Sequence, residues 1–164
     1  MTDGALGSQS DERETLAGFL DWYRSVVERK AGGLTLDQAS APRTPSGLSV
    51  LGVVKHLAAV ERIWLRWCFA GEELAVPRGG DGSETFRLDA TDTVGSVLDD
   101  YRRECELGRA IAAPAALEAV SVREHEIFGH VSLRWVLVHL LEETARHAGH
   151  LDLMREAVDG RTGD

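Results

Sequence analysis

Apolar side chains recur along most of this chain at the alternating three- and four-residue spacing of an amphipathic helix. Leu16, Phe19, Leu20, Tyr23, Val26 and Val27 mark one such face over 12–30, and Ala31-Gly32-Gly33 ends it with residues suited to a left-handed turn. A connector over 34–43 has room for a short turn of helix. Pro45-Ser46-Gly47-Leu48-Ser49 then offers Ser46 and Ser49 as caps for an apolar run over 50–70, closed by Gly71. One stripe of this second helix reads Val53, His56, Val60, Ile63, Trp67, so His56 faces the core. Asp92 or Thr93 caps a third helix reaching Ala112, with Val94, Val97, Leu98, Tyr101, Cys105 and Ile111 as its apolar positions. Ser132 caps the last and longest helix, which runs to about Val158 before Gly160 and carries the stripe Val136, Leu140, Glu143, His147, Leu151, Met154.

The intervening segments lack this period. Pro77, Gly79, Gly80, Asp81, Gly82 and Ser83 break up 72–91 into a long loop that Phe86 and Leu88 can pin down. Between 115 and 131, Val120-Ser121-Val122 and Glu126-Ile127-Phe128 suit short extended pieces or irregular loop. Four long helices with long connections predict an all-α fold, a four-helix bundle. The expected domain spans 12–160, after a flexible N-terminus over 1–11 and before a short tail over 161–164. At 164 residues and 43% hydrophobic composition, the chain can bury one continuous core.

Charge narrows the partners. A net charge of −9, with 18 basic residues scattered rather than clustered, argues against a nucleic-acid backbone or an anionic membrane surface. No stretch suits a membrane span or an export signal, and Cys68 and Cys105 stand far apart within helical segments, as buried thiols of a reducing cytoplasm.

Candidate chemistry concentrates at Glu143-Thr144-Ala145-Arg146-His147. Residues four apart on a helix share a face, so Glu143 and His147 can offer a carboxylate oxygen and an imidazole nitrogen to one point. His56, on the facing stripe, is the third donor. Three polar groups turned into an apolar core need partners, and a divalent ion satisfies all three while leaving an open coordination position. The plainer arrangement is a helix-spaced ion pair beside a satisfied core histidine. What favours the ion is position, because Glu142 and Arg146 occupy the more polar neighbouring face and suit surface pairing. His150, three residues beyond His147, belongs to the rim or the outer shell of the site. His139 falls with Glu142 and Arg146 on the polar face, and His125, between Glu124 and Glu126, falls in a solvated loop. Trp22, Trp64, Trp67 and Trp135 read as core or interface anchors. No nucleophile elbow or phosphate-binding glycine loop is present in the sequence.

The runs Ser46-Gly-Leu-Ser-Val-Leu-Gly-Val-Val-Lys-His-Leu-Ala-Ala-Val-Glu-Arg62 and Leu133-Arg-Trp-Val-Leu-Val-His-Leu-Leu-Glu-Glu-Thr-Ala-Arg-His-Ala-Gly-His-Leu-Asp152 resemble the DinB superfamily of metal-binding four-helix bundles. With Phe19-Leu-Asp-Trp22, the chain is most similar to an actinobacterial branch related to mycothiol-dependent enzymes. The resemblance implies an up-down-down-up order of helices with long crossovers, and frequent homodimers. It places metal ligands at His56, Glu143 and His147. Many relatives have histidine at the position of Glu143, whereas the mycothiol-dependent maleylpyruvate isomerase type has glutamate. His150 stands where many relatives carry glutamine. The implied activity is transfer or isomerisation assisted by a low-molecular-weight thiol: a divalent ion, zinc or else nickel, binds mycothiol, whose sulfur attacks an electrophilic small molecule. In that scheme His150 is the catalytic residue, orienting the bound ligand or moving a proton. The same ligands also serve a non-catalytic metal-binding or stress-related protein, and a metal-free helical interaction protein is the remaining alternative.

Overall fold

The computed structural model describes residues 11–76 and 82–163. Pro77, Gly79, Gly80 and Asp81 of the expected loop, and positions 1–10 of the expected flexible N-terminus, lie outside them. The main helices are α1 (Glu12–Ala31), α3 (Val50–Glu61), α4 (Val94–Ala112) and α5 (Leu133–Asp159), with a short α2 (Leu36–Ser40) in the first connection. Each long helix starts on a side-chain cap that satisfies an otherwise orphaned backbone N–H. Asp11 accepts from the Glu14 amide, Ser49 from Gly52, Thr93 from Ser96 and Ser132 from Trp135. The choices left open between Ser46 and Ser49, and between Asp92 and Thr93, resolve to Ser49 and Thr93.

Cross-helix pairs reveal the helix directions. In the helical continuation of α3, Arg62 reaches Asp100 at 2.9 Å and Arg66 reaches Glu104 at 3.0 Å, so position rises together along this helix and α4, which are parallel. Glu12 pairs with Arg134 at 2.5 Å and Lys30 with Asp152 at 2.7 Å, so α1 and α5 are also parallel. Asp21 pairs with Arg109 and Glu28 with Arg102, which makes α1 antiparallel to α4. The order is therefore up-down-down-up in an all-α DinB-like bundle. Two apolar clusters fill it, one around Val27, Leu51, Leu57, Tyr101 and Leu151, the other around Leu20, Leu65, Leu133 and Leu140.

The second helix departs from the expected regular α-helix. Arg62–Phe69 continues α3 as a π-helix, whose extra residue per turn rotates the face that follows. Trp64, Leu65 and Cys68 consequently turn inward and are buried, while Ile63 and Trp67 of the expected stripe are only half-buried. The 72–91 loop also contains order: Ser83–Phe86 forms a 3₁₀ turn against α3. Lys55 anchors the following residues through Asp89 at 2.6 Å and Asp92 at 2.7 Å. Within 115–131, isolated bridges join Val120 to Ser132 and His125 to Gly129.

Candidate metal centre

α3 and α5 run antiparallel and bring His56 opposite Glu143 and His147. Glu143 Oε2 lies 3.6 Å from His56 Nε2 and 3.5 Å from His147 Nε2. Ligand atoms of the three residues all fall within 4.8 Å of one another. The side chains are 13%, 13% and 7% exposed for His56, Glu143 and His147, so the point they surround is sheltered without being sealed from solvent. Both carboxylate–imidazole separations exceed those of a good hydrogen bond. They approach the edge of a tetrahedron of ligands around an ion with bonds of ~2.0–2.1 Å, which is about 3.4 Å. The donor set of two imidazoles and one carboxylate fits a divalent ion.

The surroundings hold these donors in a ligating state. Thr85 donates its hydroxyl proton to the Gly82 carbonyl at 2.6 Å, leaving its oxygen to accept from His56 Nδ1 at 2.7 Å. That bond places the His56 proton on Nδ1 and turns the Nε2 lone pair towards Glu143. Phe86 stacks on the same imidazole, with centroids 3.9 Å apart and planes 9° from parallel. Both contacts come from the 3₁₀ turn, which starts after Gly82 at φ +75°. Burial by itself would raise the Glu143 carboxyl, but its polar neighbours His147, His56 and Arg146, the last through an ion pair, outweigh burial and hold the group well below the usual range, hence ionised. Arg146 engages the other carboxylate oxygen, Oε1. The two Nδ1 atoms of His147 and His150 are 3.3 Å apart, so His150 sits behind His147 rather than at the shared point. Burial, then the neighbouring His147 and Arg146, lower the His150 pKa, so it is neutral near pH 7.

Two sequence expectations need correction. His139 does lie by Glu142, 3.9 Å away, but it is not a purely polar-face residue: its side chain is 21% exposed, it packs edge-on to Trp64 at 4.7 Å, and it stacks on Trp135 at 5.1 Å. His125 is only partly solvated, because the loop folds back and stacks it on Trp64 at 4.5 Å. Helical periodicity could not place a loop residue, and the π-helix redirected Trp64 towards both. His139 also forms a second potential ligand group with Glu142 and Glu143. That group was visible only as i, i+3 and i+4 spacing, a signal common on solvated helices.

A family model described as mycothiol-S-transferase matches residues 15–160. The chain belongs to this family. The mycothiol-S-transferase match spans α1 through α5, and therefore all three centre residues. Among solved structures, one described as a conserved protein from Enterococcus faecalis has the same fold, with a TM-score of 0.70 over 93% of this chain and 99% of that one. At 14% identity the likeness is one of fold alone. No curated protein matches the chain in sequence. Among the described residues, no helix is long and apolar enough to cross a membrane.

Proposed function

We propose that this mycothiol-S-transferase family member is a metal-dependent thiol S-transferase, with His56, Glu143 and His147 as the ligands of a divalent ion, zinc or else nickel. The observation that carries the reading is the meeting of two imidazole Nε2 atoms on one ionised carboxylate oxygen at a sheltered point. When bound, the ion would lower the pKa of a thiol and so supply a nucleophile near neutral pH. The chain's own residues prepare for this. Thr85 keeps the His56 lone pair available, Arg146 secures the far oxygen of Glu143, and Phe86 shields one side of the donors from water. His150, neutral and half-buried behind His147, orients the incoming thiol or takes its proton. Mycothiol is the proposed thiol and an electrophilic small molecule its acceptor; the family description supports the first.

A cytoplasmic location belongs to the same proposal and accords with two buried, unpaired cysteines; a homodimeric assembly is proposed from the family resemblance alone. The test is metal content by mass spectrometry after loading with zinc or nickel, with initial rates of mycothiol consumption on an electrophile panel. Wild type should hold one ion per chain and turn over, and His56→Ala should do neither. Wild-type protein that retains no stoichiometric ion sinks the reading.

A further inference from the structure

The aromatic cluster beside the metal centre does more than the packing of a core requires. Trp64 is its floor, 5% exposed, with His125 stacked on it at 4.5 Å and 19°. Around this floor Phe128 meets Trp135 at 4.9 Å, and Trp135 stacks on His139 at 5.1 Å and 22°. His139 lies one helical turn before Glu143 on the same face of α5, and their ligand atoms lie within 4.8 Å. The ring wall thus begins where the donor set ends. Its outer side is open, since Phe128 is 48% exposed and the adjacent Ile127 79%.

That exposure is built in, because the loop carrying it is tied down on both sides. Val122 and Arg123 donate to the carbonyls of Phe69 and Cys68, each at 3.0 Å, and the Ser121 amide donates to Val131 at 2.8 Å. A fixed backbone that presents large apolar groups to solvent beside a reaction centre marks a binding surface.

We propose that the exposed side of Phe128, beside half-buried Trp135, forms the subsite for a planar aromatic group on the electrophile, whose reacting atom lies at the metal centre. Neighbouring rings in the wall already touch, so the ligand ring does not slide between them; it extends the stack on the solvent side of Phe128 and meets the accessible part of Trp135. Continuity with the donor set through His139 makes the occupant part of a small molecule. The π-faces select a flat ring over an alkyl chain, through offset stacking and edge contacts. As an assignment of substrate class, this rests on the thiol-transfer reading above.

The test is equilibrium binding by calorimetry and tryptophan quenching, on zinc-loaded full-length protein, of S-benzylmycothiol, S-methylmycothiol and free 2-naphthol. Wild type should bind the benzyl conjugate about tenfold more tightly than the methyl one. Phe128→Leu, which keeps apolar bulk but removes the ring, should abolish that preference and weaken 2-naphthol binding at unchanged zinc content. Trp135→Leu should act in the same direction. Equal affinity for the two conjugates in wild type overturns the subsite, as does a preference that survives both substitutions. If neither conjugate binds while 2-naphthol still binds in a Phe128-dependent way, the ring subsite stands and the mycothiol reading falls. If 2-naphthol also fails to bind, the subsite falls.

Discussion

Three buried or half-buried glutamates in this chain differ in how completely the protein answers their charge. Glu61 is 2% exposed and accepts two hydrogen bonds of 2.7 Å from the Arg24 guanidinium in a closed fork. Glu104 is fully buried and accepts from Arg62 at 3.0 Å and from Arg66 at 3.0 Å. Glu143 has Arg146 on one oxygen, but its other oxygen meets only two imidazole nitrogens at 3.5 and 3.6 Å. The first two are structural, and the third keeps one oxygen, Oε2, without a cationic or close hydrogen-bonding partner. Glu104 provides a test of the structural role. Burial would raise its carboxyl, yet hydrogen bonds and charge from Arg66 and Arg62 outweigh that and lower it. A carboxyl lowered on folding contributes stability that is present above its unfolded value and disappears as pH falls through the folded one. Glu104→Gln should therefore cost about 3 kcal/mol between pH 5 and 7, and the gap to wild type should narrow below roughly pH 4.5. Urea midpoints across that range measure it; a gap independent of pH would assign the cost to packing instead. The partners of Glu61 and Glu104 were not visible in the sequence, where the two glutamates look like interruptions in apolar stripes. Their arginines lie 37 to 42 positions away.

At the level of elements, helix starts and stops were legible because caps and glycines act locally. The twist of the second helix was not. A period of 3.6 assigned Ile63 and Trp67 to the core, but the π-helix over Arg62–Phe69 delivers Trp64, Leu65 and Cys68. This shift produces the floor of the aromatic wall. The 3₁₀ turn was equally hidden, since its order depends on a tertiary contact at Gly52. A Cβ there would stand 2.7 Å from the Phe86 carbonyl oxygen and 3.0 Å from Ser49 Oγ. Glycine in a helix interior ordinarily costs about 1 kcal/mol relative to alanine. Here it lets the turn rest on α3 and bring Thr85 to His56. Gly52→Ala should consequently lose its propensity gain to the clash, lowering stability by about 1–2 kcal/mol. It should also weaken zinc binding by at least about tenfold, as expected when an imidazole ligand loses its outer hydrogen bond. Competition with a chelating dye reads the affinity. A variant that is destabilised but binds zinc as wild type would detach the turn from the metal centre.

For the molecule as a whole, the four-helix class followed from periodicity, but the direction of each helix did not. Direction is encoded in pairs such as Glu12–Arg134 and Lys30–Asp152, which no local window connects; the up-down-down-up order was legible only through family resemblance. That order sets α3 antiparallel to α5 and makes the proposed centre a cross-link between the second and last long helices. Ligands so far apart along the chain do not form a site in the unfolded state, so ion binding adds directly to folding stability. With free zinc at about 100 times its dissociation constant, the gain is about 2.7 kcal/mol. For a chain of this size it corresponds to a rise in Tm of roughly 5–10 °C. Glu143→Gln preserves shape while removing the charged donor, so it should unfold at the same temperature with or without zinc. The protection should also have an address. Amide exchange in α3 and α5 around His56 and His147 should slow on zinc addition more than exchange around Asp21 and Arg109, an α1–α4 ion pair that no proposed ligand joins. Uniform slowing across all four long helices would mean that the ion stabilises the fold globally rather than clamping this helix pair. A zinc-dependent Tm retained by Glu143→Gln would place the ion elsewhere.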